Sequence, residues 1–170
     1  MKVADVMTRR LVTVPADATL ADAAPILVRN RISGAPVVDS TGSVVGVVSE
    51  ADILRHPGGV ETPVAEAMSA PARTIEPGRR IAEAARIMVE ARINRLPVVE
   101  DGELVGIVAR ADLVRALAVE EIEAAIETRA LERERLHQSN GDHAALEANR
   151  LAIVRLQQQL SRALIAEHTA

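Results

Sequence analysis

Aromatic residues and cysteine are both missing from this chain of 170 residues. Without Phe, Tyr or Trp, its core must be packed from Val, Ile, Leu, Ala and Met. The absence of Cys excludes disulfides, thiolate nucleophiles and thiolate metal ligands. With 48% hydrophobic and 26% charged residues, the composition is nevertheless that of a globular protein with one domain or two small repeats.

Segments that would direct the chain to a membrane are also missing. The first ten residues contain no apolar run of the kind found in signal peptides, and no apolar window approaches the ~20 residues that span a bilayer. A net charge of −4 disfavours nucleic acid as the main partner, because phosphate neutralisation requires a general basic surface. We therefore expect a cytoplasmic protein with no membrane insertion and no nucleic-acid partner.

Motifs for catalysis and metal binding are absent as well. The sequence has no Gly-rich phosphate loop, no G-x-S-x-G and no paired carboxylates in apolar surroundings. Its four histidines have no ligand spacing with carboxylates; they are His56, His137, His143 and His168. We therefore expect neither an enzyme nor a metal site, and no required cofactor.

What the sequence does contain is an internal repeat. A shift of 61 residues superimposes one half on the other, and the shift becomes 60 after one residue is lost in a turn. The matched pairs include Val3 with Val64, Met7 with Met68, Pro36 with Pro97, Gly46 with Gly106, and Asp52 with Asp112. Matches in apolar positions and in Gly and Pro together indicate two copies of one unit. We place the copies at residues 1–60 and 61–118, and a helical extension at 119–170.

Each copy is predicted to follow the order strand, helix, strand, strand, helix. In copy 1 a short strand at residues 11–14 precedes a turn, after which Thr19 caps a helix with Asp22 as its box partner. Apolar residues keep helical spacing from there to Arg31. We expect Pro25 to bend this helix, because proline removes a backbone hydrogen bond.

A β-hairpin follows in each copy. In copy 1, the valine-rich runs at residues 36–38 and 44–48 flank a turn at residues 40–42. Runs of this kind predict strands that are covered on both faces. A second helix opens at Glu50. The fold class is therefore α/β (α+β), with a small sheet and packed helices.

The segments ISGAPVVDSTGSVVGVVSEADIL and INRLPVVEDGELVGIVARADLV resemble the two halves of a tandem cystathionine-β-synthase (CBS) domain pair, also called a Bateman module. The resemblance covers residues 3–117. It implies two pseudo-symmetric β-α-β-β-α repeats with two clefts between them. In this family the clefts commonly bind adenosine-containing ligands such as AMP, ADP, ATP or S-adenosylmethionine, and the modules tend to form disc-like homodimers.

Two residues near the end of the first hairpin admit two interpretations. Ser49 and Asp52 either cap a helix and complement its dipole, or they form an anion-attracting helix start. The resemblance favours a ligand site, with Asp52 holding a ribose. It also implies that the opposite copy completes this cleft above Val47, through Met68, Arg73, Ile93 and Asn94.

The resemblance implies a second cleft over Asp112. Its other residues would be Met7, Arg10, Val12, Ile32, Ser33 and Ile107. The aliphatic members of both clefts can sandwich a purine by apolar burial, although they also suit an ordinary core. Arg95 stands where family members often carry a phosphate contact, and its guanidinium suits phosphate oxygens; copy 1 has Gly34 at that position.

The two clefts are not equivalent in sequence. Ala109 replaces the hydroxyl that copy 1 has at Ser49, which disfavours phosphate binding over Asp112. The cleft over Asp52 has its Ser and Asp, and it lacks an arginine at Gly34. We therefore rank the Asp52 cleft first for an adenosine ligand.

The C-terminal extension is predicted to form a helical hairpin. Residues 119–138 are rich in strong helix formers and continue a helix that begins at Arg110. Gly141 is predicted to end this helix and Asp142 to cap a second one, which runs to about residue 167. Apolar residues of the second helix recur at heptad spacing; they are Leu146, Ile153, Leu156, Leu160 and Ala163.

Two roles for this hairpin remain open. We expect it to pack on itself and on a second copy of the chain. The alternative is a docking surface for a regulated enzyme or transporter, or an output helix moved by ligand binding. The leading function is therefore a regulatory module that senses an adenosine-containing ligand. The alternative is a ligand-free structural or interaction protein that acts through its helical tail.

Overall fold

The computed structural model describes residues 1–56, 59–138 and 143–165, which divide into two units, Met1–Leu113 and Val114–Ala170. The strands are β1 (Val14–Pro15), β2 (Gly34–Val38), β3 (Val44–Ser49), β4 (Arg95–Glu100) and β5 (Glu103–Ala109). The helices are α1 (Val3–Val6), α2 (Leu20–Asn30), α3 (Glu50–Arg55), α4 (Val64–Ala67), α5 (Ile81–Glu90), α6 (Arg110–Gln138) and α7 (His143–Ile165). The predicted α/β (α+β) class is confirmed.

The sheet of copy 1 has the order β1-β2-β3. β2 and β3 form the predicted antiparallel hairpin, and β1 pairs with β2 in parallel. β1 lies later in the chain than the predicted strand at residues 11–14, because the parallel register reaches only Val14 and Pro15. β2 is buried over four of its five residues, whereas β3 alternates buried and half-buried residues. The prediction that both faces of the strands are covered therefore fits β2 better than β3.

Copy 2 has a two-stranded sheet, β4-β5. The counterpart of β1 is reduced to one parallel bridge between Ile75 and Val98. The hairpin turn contains Asp101 at φ 51° and Gly102 at φ 86°, between the paired residues Glu100 and Glu103. Two consecutive residues with positive φ suit a tight two-residue turn. This tighter turn accounts for the residue that copy 2 lacks.

Helix α2 begins as predicted. Asp22 Oδ2 accepts hydrogen bonds from the backbone nitrogen and the hydroxyl of Thr19, at 3.0 and 2.7 Å. The Asp22 nitrogen donates to Thr19 Oγ1 at 3.2 Å, which completes the capping box. The helix contains Pro25 and runs on to Asn30, and it ends where Arg31 adopts φ 53°.

The short segment at the start of each copy packs on the sheet of the other copy. Val64, in α4 at the start of copy 2, belongs to the buried cluster of copy 1. After α4, Ser69 pairs with Val47 of β3; after α1, Thr8 pairs with Ile107 of β5. Helices of four residues are too short to show apolar periodicity, so α1 and α4 were not predicted. The exchange brings residues of both copies to the carboxyl ends of β3 and β5.

The C-terminal extension forms two long helices, as predicted. α6 continues from Arg110 to Gln138, and α7 occupies residues 143–165. Asn149 Nδ2 donates to Glu132 Oε2 at 3.1 Å, which brings α7 back alongside α6. The predicted stop at Gly141 and cap at Asp142 lie outside the described residues. In the part of the chain that is described, no helix has the length and apolar character needed to cross a membrane.

Candidate functional site

A cleft of about 190 Å³ opens at the end of β3. It contains seven of the residues that the sequence analysis assigned to ligand binding, namely Val47, Ser49, Asp52, Arg73, Ile93, Asn94 and Arg95. The first three come from copy 1 and the other four from copy 2. The structure therefore brings both copies together in one cleft, with most of the residues expected for the Asp52 side and with Arg95 in addition. Their role in binding stays a prediction.

Asp52 is held by the start of its own helix. Its Oδ2 atom accepts hydrogen bonds from the Ser49 backbone nitrogen at 2.8 Å and from the Ser49 hydroxyl at 2.6 Å. These bonds belong to a capping box at the N-terminus of α3. They do not involve Oδ1, and both residues line the cleft. Helix capping and ligand binding are thus compatible, because capping orients the carboxylate from one side.

The equivalent carboxylate of copy 2 is held in a related way. Asp112 Oδ2 accepts a hydrogen bond from the backbone nitrogen of Ala109 at 2.9 Å. Ala109 has no hydroxyl to add the second bond that Ser49 makes. The two helix starts therefore keep the same backbone contact and differ in one polar group.

A glycine in each hairpin packs against a methionine of the opposite copy. A Cβ at Gly46 would lie 2.9 Å from Met68 Cγ, and a Cβ at Gly106 would lie 2.6 Å from Met7 Sδ. Real Cβ atoms do not approach neighbours so closely, so a side chain at either glycine would force the methionine of the opposite copy to move. Met68 is half-buried over Gly46 and is not part of the cleft lining, in contrast to its predicted place on the cleft wall. The exchanged segment packs it on β3 instead.

Arg95 reaches across from copy 2 to copy 1. It begins β4, its side chain lines the cleft, and its Nη2 donates a hydrogen bond to the hydroxyl of Ser33. Burial lowers the pKa of its guanidinium, while the charges of Glu50 and Asp112 act in the opposite direction. An arginine stays protonated under such conditions. Arg95 of copy 2 therefore gives the Asp52 cleft an arginine, although copy 1 has none at Gly34.

Further residues of the cleft were missed from sequence. They are Ala51, Arg55, Ser69, Pro71, Ala72 and Arg92. Arg92 follows α5 at φ 54°, and its repeat partner Arg31 has φ 53°. The repeated Arg-Ile pair at residues 31–32 and 92–93 was the available signal for Arg92. With Arg55, Arg73 and Arg95, it gives the cleft four guanidinium groups, which favours an anionic ligand.

Other residues predicted to bind a ligand lie outside this cleft's lining. Ser33 contacts the cleft indirectly, through Arg95. The remaining ones belong to the second predicted cleft; they are Met7, Arg10, Val12, Ile32, Ile107 and Asp112. Of these, Ile107 pairs with Thr8, as Val47 pairs with Ser69 on the opposite side. Among the described residues, no group of His, Asp and Glu is placed to hold a metal ion.

Comparison with known proteins settles which family has this arrangement. The model of the CBS domain matches the chain twice, at residues 3–59 and 64–119. The chain belongs to the CBS domain family. It is a tandem CBS pair, followed by C-terminal helices that lie mostly beyond the two matches.

Similar proteins include an uncharacterised one from Methanocaldococcus jannaschii, MJ1426, which is 31% identical over 154 residues. That match covers 69% of this chain and 91% of the relative. Among solved structures, CBSX2 in complex with AMP shares 32% identity at a TM-score of 0.60, covering 68% of this chain and 95% of that one. The CBS pair of protein MJ0100, in complex with 5′-methylthioadenosine and S-adenosyl-L-methionine, shares 26% identity at a TM-score of 0.66, covering 71% and 98%.

Proposed function

We propose that this CBS pair is a regulatory module that binds an adenine nucleotide in the Asp52 cleft. The observation that carries the proposal is the meeting of Asp52 with four arginines in one cleft. CBS pairs of similar structure are bound to AMP in one case and to 5′-methylthioadenosine and S-adenosyl-L-methionine in another. These ligands share an adenosine group, which supports that class of ligand for this chain.

Each part of a nucleotide has a matching group in the cleft. Asp52 Oδ1 is available to accept hydrogen bonds from the vicinal hydroxyls of a ribose, because the capping bonds use Oδ2. The half-buried side chains of Val47 and Ile93 offer apolar surface to the adenine. Arg73 and Arg95 supply donors for phosphate oxygens.

The charge of the cleft favours a nucleotide over S-adenosylmethionine. Four guanidinium groups attract the phosphates of AMP, ADP or ATP, and they disfavour the sulfonium cation of S-adenosylmethionine. The preference should grow with the number of phosphates and weaken with salt, since the arginines lie at an open cleft. ADP, with two phosphates, is therefore a suitable probe.

The first experiment uses the weak ultraviolet absorbance of this chain. Because the chain has no Trp and no Tyr, it absorbs little at 280 nm, and a band at 260 nm in purified protein would reveal a bound purine. Calorimetric titration of ligand-free protein with AMP, ADP, ATP and S-adenosylmethionine then ranks the ligands. We expect ADP or ATP to bind more tightly than S-adenosylmethionine. Failure of all four to bind would contradict the proposal and favour a structural protein that acts through its helices.

We further propose that the module works as a homodimer. Val28 of α2 and its repeat partner Val89 of α5 are each 71% exposed, and Leu54 of α3 is 84% exposed. An apolar residue exposed at the same position in both copies suits a two-fold interface, where one surface meets itself. Light scattering should give twice the chain mass, and Val28→Asp with Val89→Asp should reduce it to the mass of one chain. Val60→Asp, at an exposed valine outside these helices, is the control.

The C-terminal helices are the proposed output of the module. They reach a regulated enzyme or transporter, or they add to the dimer, and removal of residues 139–170 separates these roles. A truncated chain that remains a dimer and binds ADP normally would favour a partner for the helices. A truncated chain that becomes a monomer would assign the helices to self-association.

A further inference from the structure

Arg95 is shared between the two copies in a way that their sequences do not show. Its backbone belongs to β4, where it pairs with Ala109 of β5. Its guanidinium, however, contacts the loop before β2, where Nη2 donates to Ser33 Oγ. Ser33 is 62 residues away and belongs to the other copy. One side chain thus connects the Asp52 cleft with a residue assigned to the second cleft.

Gly34 provides the space for this contact. A Cβ at Gly34 would lie 2.9 Å from Arg95 Nη1 and 2.7 Å from the carbonyl oxygen of Val48. Residues 34 and 95 occupy equivalent positions in the repeat. Because there is no room for a side chain at residue 34, only one arginine fits between the copies. The module therefore has one such cation for two clefts.

The groups around Arg95 belong to both copies. Glu50 of copy 1 and Asp112 of copy 2 both act on its charge, while burial disfavours it. The Ser33 loop is joined to helix α3, because the Glu50 nitrogen donates to the Ser33 carbonyl oxygen at 3.1 Å. If Arg95 exchanged Ser33 for another partner, the Ser33 loop could move and shift the start of α3, which also carries Asp52.

The cleft is small for a nucleotide. Its volume of about 190 Å³ is below the ~300 Å³ at the lower end of ligand pockets. Arg95 lines the cleft while its Nη2 donates to Ser33 Oγ. A ligand phosphate that takes the same donor displaces the Ser33 hydroxyl from it.

We propose that Ser33 and the phosphate of a bound nucleotide compete for Arg95. Without ligand, Ser33 holds the guanidinium. With a nucleotide in the Asp52 cleft, the guanidinium turns to the phosphate, and the loop at Ser33 loses its contact with copy 2. This inference rests on the proposed function. It adds the step by which ligand binding in the cleft changes a contact between the two copies.

The test is a calorimetric titration with ADP and with adenosine. Ser33→Ala removes the competitor, so ADP should bind about 3- to 10-fold more tightly, which corresponds to one hydrogen bond. Adenosine has no phosphate to take Arg95, so Ser33→Ala should not increase its affinity. Ser40→Ala, at the exposed hairpin turn, is the matched control and should leave ADP affinity unchanged.

A double-mutant cycle assigns the effect to Arg95. Arg95→Ala should weaken ADP binding, and Ser33→Ala should then bring no gain, because no guanidinium remains to be released. Unchanged or weaker ADP binding by Ser33→Ala would overturn the inference and leave the proposed function standing. A gain that persists in the double variant would overturn it as well. Absence of binding of AMP, ADP, ATP and S-adenosylmethionine by the wild-type chain would overturn the proposed function itself.

Discussion

The side chain of Met68 lies directly on Gly46, across the boundary between the two copies. A Cβ at residue 46 would come within 2.9 Å of Met68 Cγ and 3.0 Å of the Ser69 carbonyl oxygen. Ser69 is also the residue that pairs with Val47. The glycine therefore permits the close approach that places the copy 2 segment against β3, where Ser69 lines the Asp52 cleft.

Substitution of Gly46 or Gly106 should destabilise the protein. We expect Gly46→Ala and Gly106→Ala each to lower the free energy of unfolding by about 1–3 kcal/mol, the usual effect of overpacking. Urea denaturation followed by circular dichroism measures this effect, and it suits a chain without aromatic residues.

Gly78→Ala is the matched control for the glycine variants. A Cβ at Gly78 would have no heavy atom within 4 Å. Its effect should stay within about 0.5 kcal/mol, as at ordinary surface sites. If Gly46→Ala were as harmless as Gly78→Ala, the close packing of Met68 on β3 would be contradicted.

The two equivalent carboxylates should differ in their importance for binding. We expect Asp52→Ala to weaken ADP binding more than Asp112→Ala, because Asp52 lies in the cleft with four arginines. Calorimetry on both variants measures the ranking. Each variant also loses a helix-capping carboxylate, so thermal melting of both provides the control for folding. The reverse ranking would place the ligand in the other cleft.

Arg92 and Arg31 provide a second matched pair. Both follow a helix and have nearly the same φ, 54° and 53°, but only Arg92 is among the residues that line the Asp52 cleft. We expect Arg92→Gln to weaken ADP binding about 2- to 5-fold, the usual range for an exposed charge contact. Arg31→Gln should leave the affinity unchanged. The effect of Arg92→Gln should shrink at high salt, and equal effects of the two variants would indicate only a general influence of net charge.

The sequence was sufficient to predict features that depend on local interactions. Ser49 and Asp52 are three residues apart at the end of a strand, so their pairing follows from the start of a helix. The hairpins follow from valine runs around a turn, and the repeat showed that the fold has two copies. The wall residues Arg73, Ile93 and Asn94 were inferred from the family resemblance, and the structure places them in the Asp52 cleft.

Features that depend on contacts between the copies were harder to predict. Arg95 was compared with Gly34 as if each arginine position served its own copy, but its guanidinium extends to Ser33 across the boundary. The family resemblance implies a place for Met68 on the cleft wall, but its packing on Gly46 of the opposite copy is not visible in sequence. The short β1 depends on a parallel register with Val37 and Val38 that no local pattern encodes.

The capping box at Thr19 should show in the titration of Asp22. Hydrogen bonds from the Thr19 backbone and then from its hydroxyl lower the pKa of Asp22 below its ordinary value. This stabilisation is present above the unfolded-state pKa, and it is lost as the pH falls through the lowered folded-state pKa. Thr19→Ala should raise the pKa part of the way back, because the backbone donor remains. Carboxyl NMR titration measures the shift, and an unchanged midpoint in the variant would exclude a role for the hydroxyl.

The last prediction concerns Asn149 in the C-terminal helices. With the partly buried residues Leu146, Ile153, Leu156, Leu160 and Ala163, it forms a stripe with alternating spacings of three and four. Asn149 is only 4% exposed, its Nδ2 donates to Glu132, and its Oδ1 has no partner within the described residues. A polar residue in such a stripe sets the alignment of helices and lowers their stability.

Asn149→Leu should therefore raise the melting temperature of the helices and broaden the distribution of oligomers. The stability gain comes from removing a buried polar atom that has no partner in the part of the chain that is described, a situation that costs about 1–3 kcal/mol. The broader distribution comes from losing the bond that aligns α7 with Glu132. Circular dichroism measures the first effect, and sedimentation velocity measures the second. Gln158→Leu, at an exposed position of the same helix, is the control. A lower melting temperature for Asn149→Leu would show that the bond to Glu132 outweighs the unpaired oxygen.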